Sequence, residues 1–195
     1  MPILTLIAII IAWKQISLNR KVMLADHDKD RRKFAIDLIW KFVNIHEKES
    51  KPSRGFVNKL DPGQITDLMN CRGFKIGYHL RESAISALNS EFTKIDEILP
   101  NINGQDIYLD EVYVRFIRNS ITRYLNRLET IMSSWRHEVA DREIIEEEFK
   151  YMGANEEHSM TKLRQHIGFE SFPAIDDFMK KIQGIRSGKG APEAN

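Results

Sequence analysis

Val114, Ile121, Leu128 and Trp135 recur every seven residues, and Ile117, Tyr124 and Ile131 interleave between them. With Leu125 and Met132 beside this seam, the pattern is one apolar face of a helix sustained for three heptads. A face that broad must be covered by other elements, so it predicts a spine helix from about Asp110 to His137 inside a bundle. It is wider than a strict two-position coiled-coil seam, which favours an intramolecular core over pairing between copies.

The rest of the sequence reads the same way. Phe34, Leu38 and Phe42 lie at helical spacing, and neither Gly nor Pro occurs between Asn19 and Ser50. A helix is therefore expected over 19–48. Pro52, Ser53 and Gly55 punctuate the chain and predict a loop over 49–64, and Asp61-Pro62 supplies an N-cap followed by Pro at the first helical position. Two helices are expected between Pro62 and Leu99, broken around Gly73 and Gly77, and Pro100 to Gly104 ends the second. Beyond the spine, helices are expected over 141–152, 155–167 and 173–183, with a helical domain spanning 65–184 and a disordered tail over 185–195. No segment alternates apolar and polar residues between hairpin turns, so no strand is expected. The fold class predicted is all-α.

At the other end of the chain, Met1 to Trp13 contains no charged side chain and Lys14 follows at once. Apolar residues surround this helix on all sides, which argues against an interfacial or half-buried helix. A span needs roughly 20 apolar residues, or fewer where a basic side chain snorkels to the headgroups. Residues 1–18 are therefore expected to be a single transmembrane anchor, either short or lacking its first turns, with Trp13, Lys14, Arg20 and Lys21 at the membrane interface. Seven basic residues against three acids between Lys14 and Lys33 place the remainder on the cytoplasmic side. A signal peptide fits poorly, because the positive charges follow the apolar run and no small-residue cleavage pattern ends it.

A net charge of +1 on 195 residues excludes nucleic-acid binding through overall positive charge, yet the charges are segregated. Arg115, Arg118, Arg123 and Arg127 flank the spine, whereas Glu138 to Glu157 carries eight acids and two bases. The arginines, with Glu143, Glu146, Glu147 and Glu148, are the expected interaction surface for a protein partner. No metal is expected: no Glu-x-x-His or His-Glu-x-x-His occurs, and Cys71 is the one cysteine. His158 and His166, two turns apart on one expected helix, are a weak ligand pair. No phosphate loop or nucleophile elbow is present, and no cofactor is expected. Arg72 with His79, seven residues on, is the one spacing that suggests phosphodiester chemistry, because two turns of one helix would bring a cation and an acid-base group to one face.

The run RRKFAIDLI (Arg31 to Ile39), the segment YLNRLETI (Tyr124 to Ile131), the acid-rich DREIIEEEFKYM (Asp141 to Met152) and a closing pair of helices resemble an uncharacterised bacterial family of small single-pass, membrane-anchored helical proteins. That resemblance implies a fold and a topology, with the domain on the cytoplasmic side of a bacterial inner membrane, and no activity. The expected function is that of a membrane-tethered scaffold, not an enzyme, with the bilayer, an unidentified protein and further copies of the chain as partners. The alternative is a membrane-associated effector of a bacterial defence system, either a helical ribonuclease using Arg72 and His79 or an oligomeric pore.

Overall fold

Asp110 and Asp61 set two helix starts. Asp110 accepts a hydrogen bond from the Val112 amide at 2.9 Å, and Asp61 accepts one from the Gln64 amide at 2.8 Å while Gln64 Oε1 accepts from the Asp61 amide at 3.1 Å. Each cap satisfies donors that the first helical turn leaves free, a contribution of about 1 kcal/mol. The computed structural model describes residues 2–89, 92, 105–153, 158 and 160–186, with side chains described for all but 2–10, 45–49, 153, 169, 185 and 186.

The order is α1 (Pro2–Lys41), a π-helical turn (Phe42–Glu47), α2 (Lys48–Val57), α3 (Pro62–Met69), β1 (Phe74–Ile76), α4 (Arg81–Leu88), β2 (Ile107–Leu109), α5 (Glu111–Arg136), α6 (Arg142–Phe149), α7 (Thr161–Ile167) and α8 (Pro173–Arg186). Short 3₁₀ turns cover Tyr78–Leu80, Lys150–Gly153 and Phe169–Ser171. The chain is mostly helical, as its periodicity requires. α5 is the spine: Val114, Ile117 and Leu128 are fully buried, and Ile121, Tyr124, Leu125, Ile131, Met132 and Trp135 are buried with them. Helices α2, α3, α4 and α8 and the π-helical turn all pack on it. Its apolar stripe is therefore used up inside one chain.

Two expectations are corrected here. The 49–64 loop is helical as far as Val57, because Ser53, Arg54, Phe56 and Val57 are buried between α4 and α5. Burial outweighs the cost of Pro52 inside the helix, and the wider π-helical turn just upstream is where the backbone departs from regular spacing. The chain also contains strands. Phe74, Lys75 and Ile76 pair antiparallel with Leu109, Tyr108 and Ile107, respectively, and each strand buries its first and third residues. Three-residue strands are too short for alternation to stand out in a sequence. Gly73 is needed beside them, because a Cβ there would lie 2.8 Å from the Leu109 carbonyl oxygen and 2.3 Å from the Tyr108 hydroxyl. α8 runs to Arg186, two residues past the expected end of the helical domain, and the rest of the expected tail, residues 187–195, lies outside the described residues.

At the end of α3 the Cys71 amide bonds to Leu68 O and the Arg72 amide to Asp67 O, with Cys71 at φ 55°. This is a left-handed helix stop, occupied by a residue with a Cβ where glycine is at ease. Cys71→Gly is expected to raise stability by about 1 kcal/mol, read as a higher denaturation midpoint in urea at unchanged slope. A loss of stability would mean that the thiol packs favourably enough to outweigh the strain.

Candidate interaction surfaces

Four arginines were expected to flank the spine, and the helix spreads them around its side away from the apolar stripe, with Arg118 and Arg127 on opposite flanks and with different exposures. Arg115, Arg123 and Arg127 are exposed, whereas Arg118 is half-buried. None of the four forms an ion pair among the described residues, the acidic segment included, and the exposed Arg115, Arg123 and Arg127 offer their charge outward. Arg115 borders a groove of about 430 Å³ whose apolar walls are Phe92, Val112 and Phe116. Phe92 meets Tyr113 and Phe116 edge-on, at 5.0 and 5.5 Å between ring centroids. A cation beside an apolar cleft can hold a partner by charge and by burial together.

The acidic helix α6 divides its residues between structure and surface. Asp141 caps it, accepting from the Ile144 amide at 3.2 Å. Glu146 accepts the Trp135 indole N–H at 2.8 Å, and the Arg142 guanidinium lies 4.7 Å from the centroid of the same indole. Glu146 therefore pins α6 to the spine and is half-buried. Glu147 pairs with Lys150 one turn on, and Glu143 and Glu148 are exposed.

Arg72 and His79 do not converge along a helix. Arg72 leaves the left-handed turn after α3, β1 follows, and His79 lies in the 3₁₀ turn with its ring against Gly77. Both are exposed. The two-turn spacing that suggested a phosphodiester site required one continuous helix, which Gly73 and Gly77 interrupt. His158 and His166 are likewise not on one helix, because α7 starts at Thr161. His166 meets the Thr66 hydroxyl at 3.2 Å, whereas His158 lies edge-on to Tyr151. Among the described residues no group of three or more His, Cys, Asp or Glu could hold a metal ion.

Compared with protein families, curated proteins and solved structures, the chain matches none.

Trp13 is 71% exposed on α1, and Lys14, Arg20 and Lys21 are exposed with it. Among the described residues no helix is long and apolar enough to cross a membrane. Met1 and the side chains of residues 2–10, which supply most of the apolar run behind the expected anchor, lie outside the described set.

Sequence reasoning missed a buried polar cluster. Arg54 is fully buried, its guanidinium 4.5 Å from the Tyr124 ring centroid, and its Nη1 lies 2.8 Å from His158 Nδ1 and 3.4 Å from the Tyr124 hydroxyl. That hydroxyl donates to the His158 carbonyl oxygen at 2.9 Å. Arg54 sits among Ser53 and Gly55 in the sequence and carries no signal of burial. Arg164, 2% exposed and paired with Asp176, is concealed in the same way within a polar stretch.

Proposed function

We propose that this protein is a membrane-tethered helical interaction module, with the first turns of α1 as its anchor and the flanks of α5 and α6 as its recognition surfaces. The observation that carries this reading is the treatment of α1. Its 40 residues correspond to roughly 60 Å of helix, and the body packs on it from about Arg31 onward. Ile11, Trp13, Ile16 and Leu18 are all more than half exposed. Leaving these side chains in water forgoes about 25 cal/mol for each Å² that burial would remove, and a bilayer offers that burial to the apolar run Met1 to Trp13.

Arg115, Arg123 and Arg127 on one flank and Glu143 and Glu148 on another then face the cytoplasm as sites for a protein partner of mixed charge. Catalysis has no part in this reading. The order of features that resembles the bacterial membrane-anchored family is consistent with it. Alkaline carbonate extraction of expressing cells is the test. The full chain is expected to stay with the membrane pellet and a chain beginning at Asn19 to be released. Release of the full chain would remove the anchor from the proposal.

A further inference from the structure

The exposed length of α1 carries a second pattern beneath its apolar character. At 100° per residue, Ile11, Leu18, Val22 and Ala25 fall in one stripe, with Gln15 and Lys29 completing it at heptad spacing. The stripe continues past the point where the body docks: Ile36 and Trp40 lie on it and are 56% and 61% exposed. Arg31, Ala35 and Phe42, which face the body, lie well over 90° around the helix from it. The Arg31 side chain donates to the Ala140 carbonyl oxygen at 3.4 Å, and the Arg31 carbonyl accepts the Asp141 amide at 3.2 Å, fixing which side of α1 is inward. From Ile11 to Lys29 the stripe therefore points away from the bundle; at Arg32, the next d position, it borders the body, where the guanidinium donates to Asp141 at 3.2 Å.

The residues flanking the stripe decide what covers it. With Leu18 and Ala25 at d positions and Val22 and Lys29 at a positions, Lys21 and Asp28 occupy g, and Asp26 and Lys33 occupy e. All four are exposed. In a parallel pair of such helices each g residue faces the e residue five positions on in the partner. Lys21 then meets Asp26 of a second copy and Asp28 meets Lys33, so every one of these contacts joins opposite charges, twice over by symmetry. The seam itself, with branched Val22 at a and Leu18 at d, suits two strands, and Lys29 at a fixes the register at some cost in stability.

We infer that α1 pairs in parallel and in register with α1 of a second copy of this chain, along Ile11, Leu18, Val22, Ala25 and Lys29. The pairing goes beyond the membrane reading and does not rest on it: Ile11 and Leu18 fall within the proposed anchor, whereas Val22 to Lys33, with all four of the charged flanking residues, lie beyond it. A common anchor would only favour the parallel sense.

The test uses the full chain in a mild detergent with micelles in excess, in a Cys71→Ala background. Single Leu18→Cys, Val22→Cys and Ala25→Cys variants are each expected to convert most of the chain to a disulfide-linked dimer under mild oxidation. Met23→Cys and His27→Cys, on the opposite side of α1, should give at least fivefold less. By light scattering the unaltered chain should have the mass of two copies. Lys21→Glu with Lys33→Glu, and separately Asp26→Lys with Asp28→Lys, should each give the mass of one copy, and mixing the two doubly altered chains should restore the mass of two. A single-copy mass for the unaltered chain, equal cross-linking from both faces, or cross-linking at only one of the three stripe positions would overturn the inference. The last of these would indicate an antiparallel crossing.

Discussion

Leu128→Ala is expected to destabilise the chain by about 3 kcal/mol or more, within the range of roughly 2–5 kcal/mol for truncating a buried leucine. Leu128 is fully buried near the middle of α5, the helix on which α2, α3, α4 and α8 pack. The loss combines the transfer free energy of the deleted atoms with the cavity that remains, because close-packed neighbours relax only in part. For a chain of this size each kcal/mol lowers the melting temperature by about 2–4 °C, so a fall of about 6 °C or more should be seen in a thermal melt. Arg123→Ala, on the exposed side of the same helix, is the control and should remain within about 0.5 kcal/mol of the unaltered chain. Equal shifts for the two variants would place the wrong face of α5 inside.

The spine was legible because nine residues on one face of a 26-residue helix are buried, and burial of that regularity leaves a period in the sequence. Asp61-Pro62 was legible for a different reason: capping is local chemistry, with donor and acceptor three residues apart. What stayed hidden depends on contacts distant in sequence. The helix through Pro52 forms because Phe56 and Val57 meet residues far along the chain, and local propensity at Pro52 and Gly55 argues against it. The strands β1 and β2 exist because residues more than thirty positions apart pair, and neither strand has enough length to announce itself.

The candidate surfaces divide along the same line. A helical wheel can say that Arg115, Arg123 and Arg127 are off the apolar face, and the structure leaves them exposed. It could not say that Glu146 is spent on the Trp135 indole, because that bond depends on how α6 folds back over the end of α5. Nor could it show that Arg72 and His79 are parted by a strand. The heptad flanks of α1 were present in the sequence throughout, but they gain meaning only once Arg31, Ala35 and Phe42 are seen to face the body from the other side of that helix.

Glu129→Ala is expected to cost about 2–4 kcal/mol, an effect disproportionate to a half-buried acid on the edge of a helix. The cause is at the start of α8. Pro173 has no N–H to satisfy, and the Asp176 amide bonds to the Phe172 carbonyl at 3.3 Å. The remaining donors are the amides of Ala174 and Ile175, which bond to Glu129 Oε1 at 2.9 Å and to Oε2 at 3.0 Å. Phe172, just before the helix, has no side-chain acceptor, so a carboxylate from α5 takes the place of an N-cap and sits at the positive end of the helix dipole. Ala174 and Ile175 are themselves buried, so water cannot readily replace the lost acceptor, and each orphaned donor costs about 1–3 kcal/mol. Glu129→Gln keeps one acceptor oxygen and should lose about half as much. Amide hydrogen exchange supplies a local readout: Ala174 and Ile175 should exchange markedly faster in Glu129→Ala, before any change at Val114 or Ile117. Unchanged exchange at those two amides would show that the carboxylate is not the cap of α8.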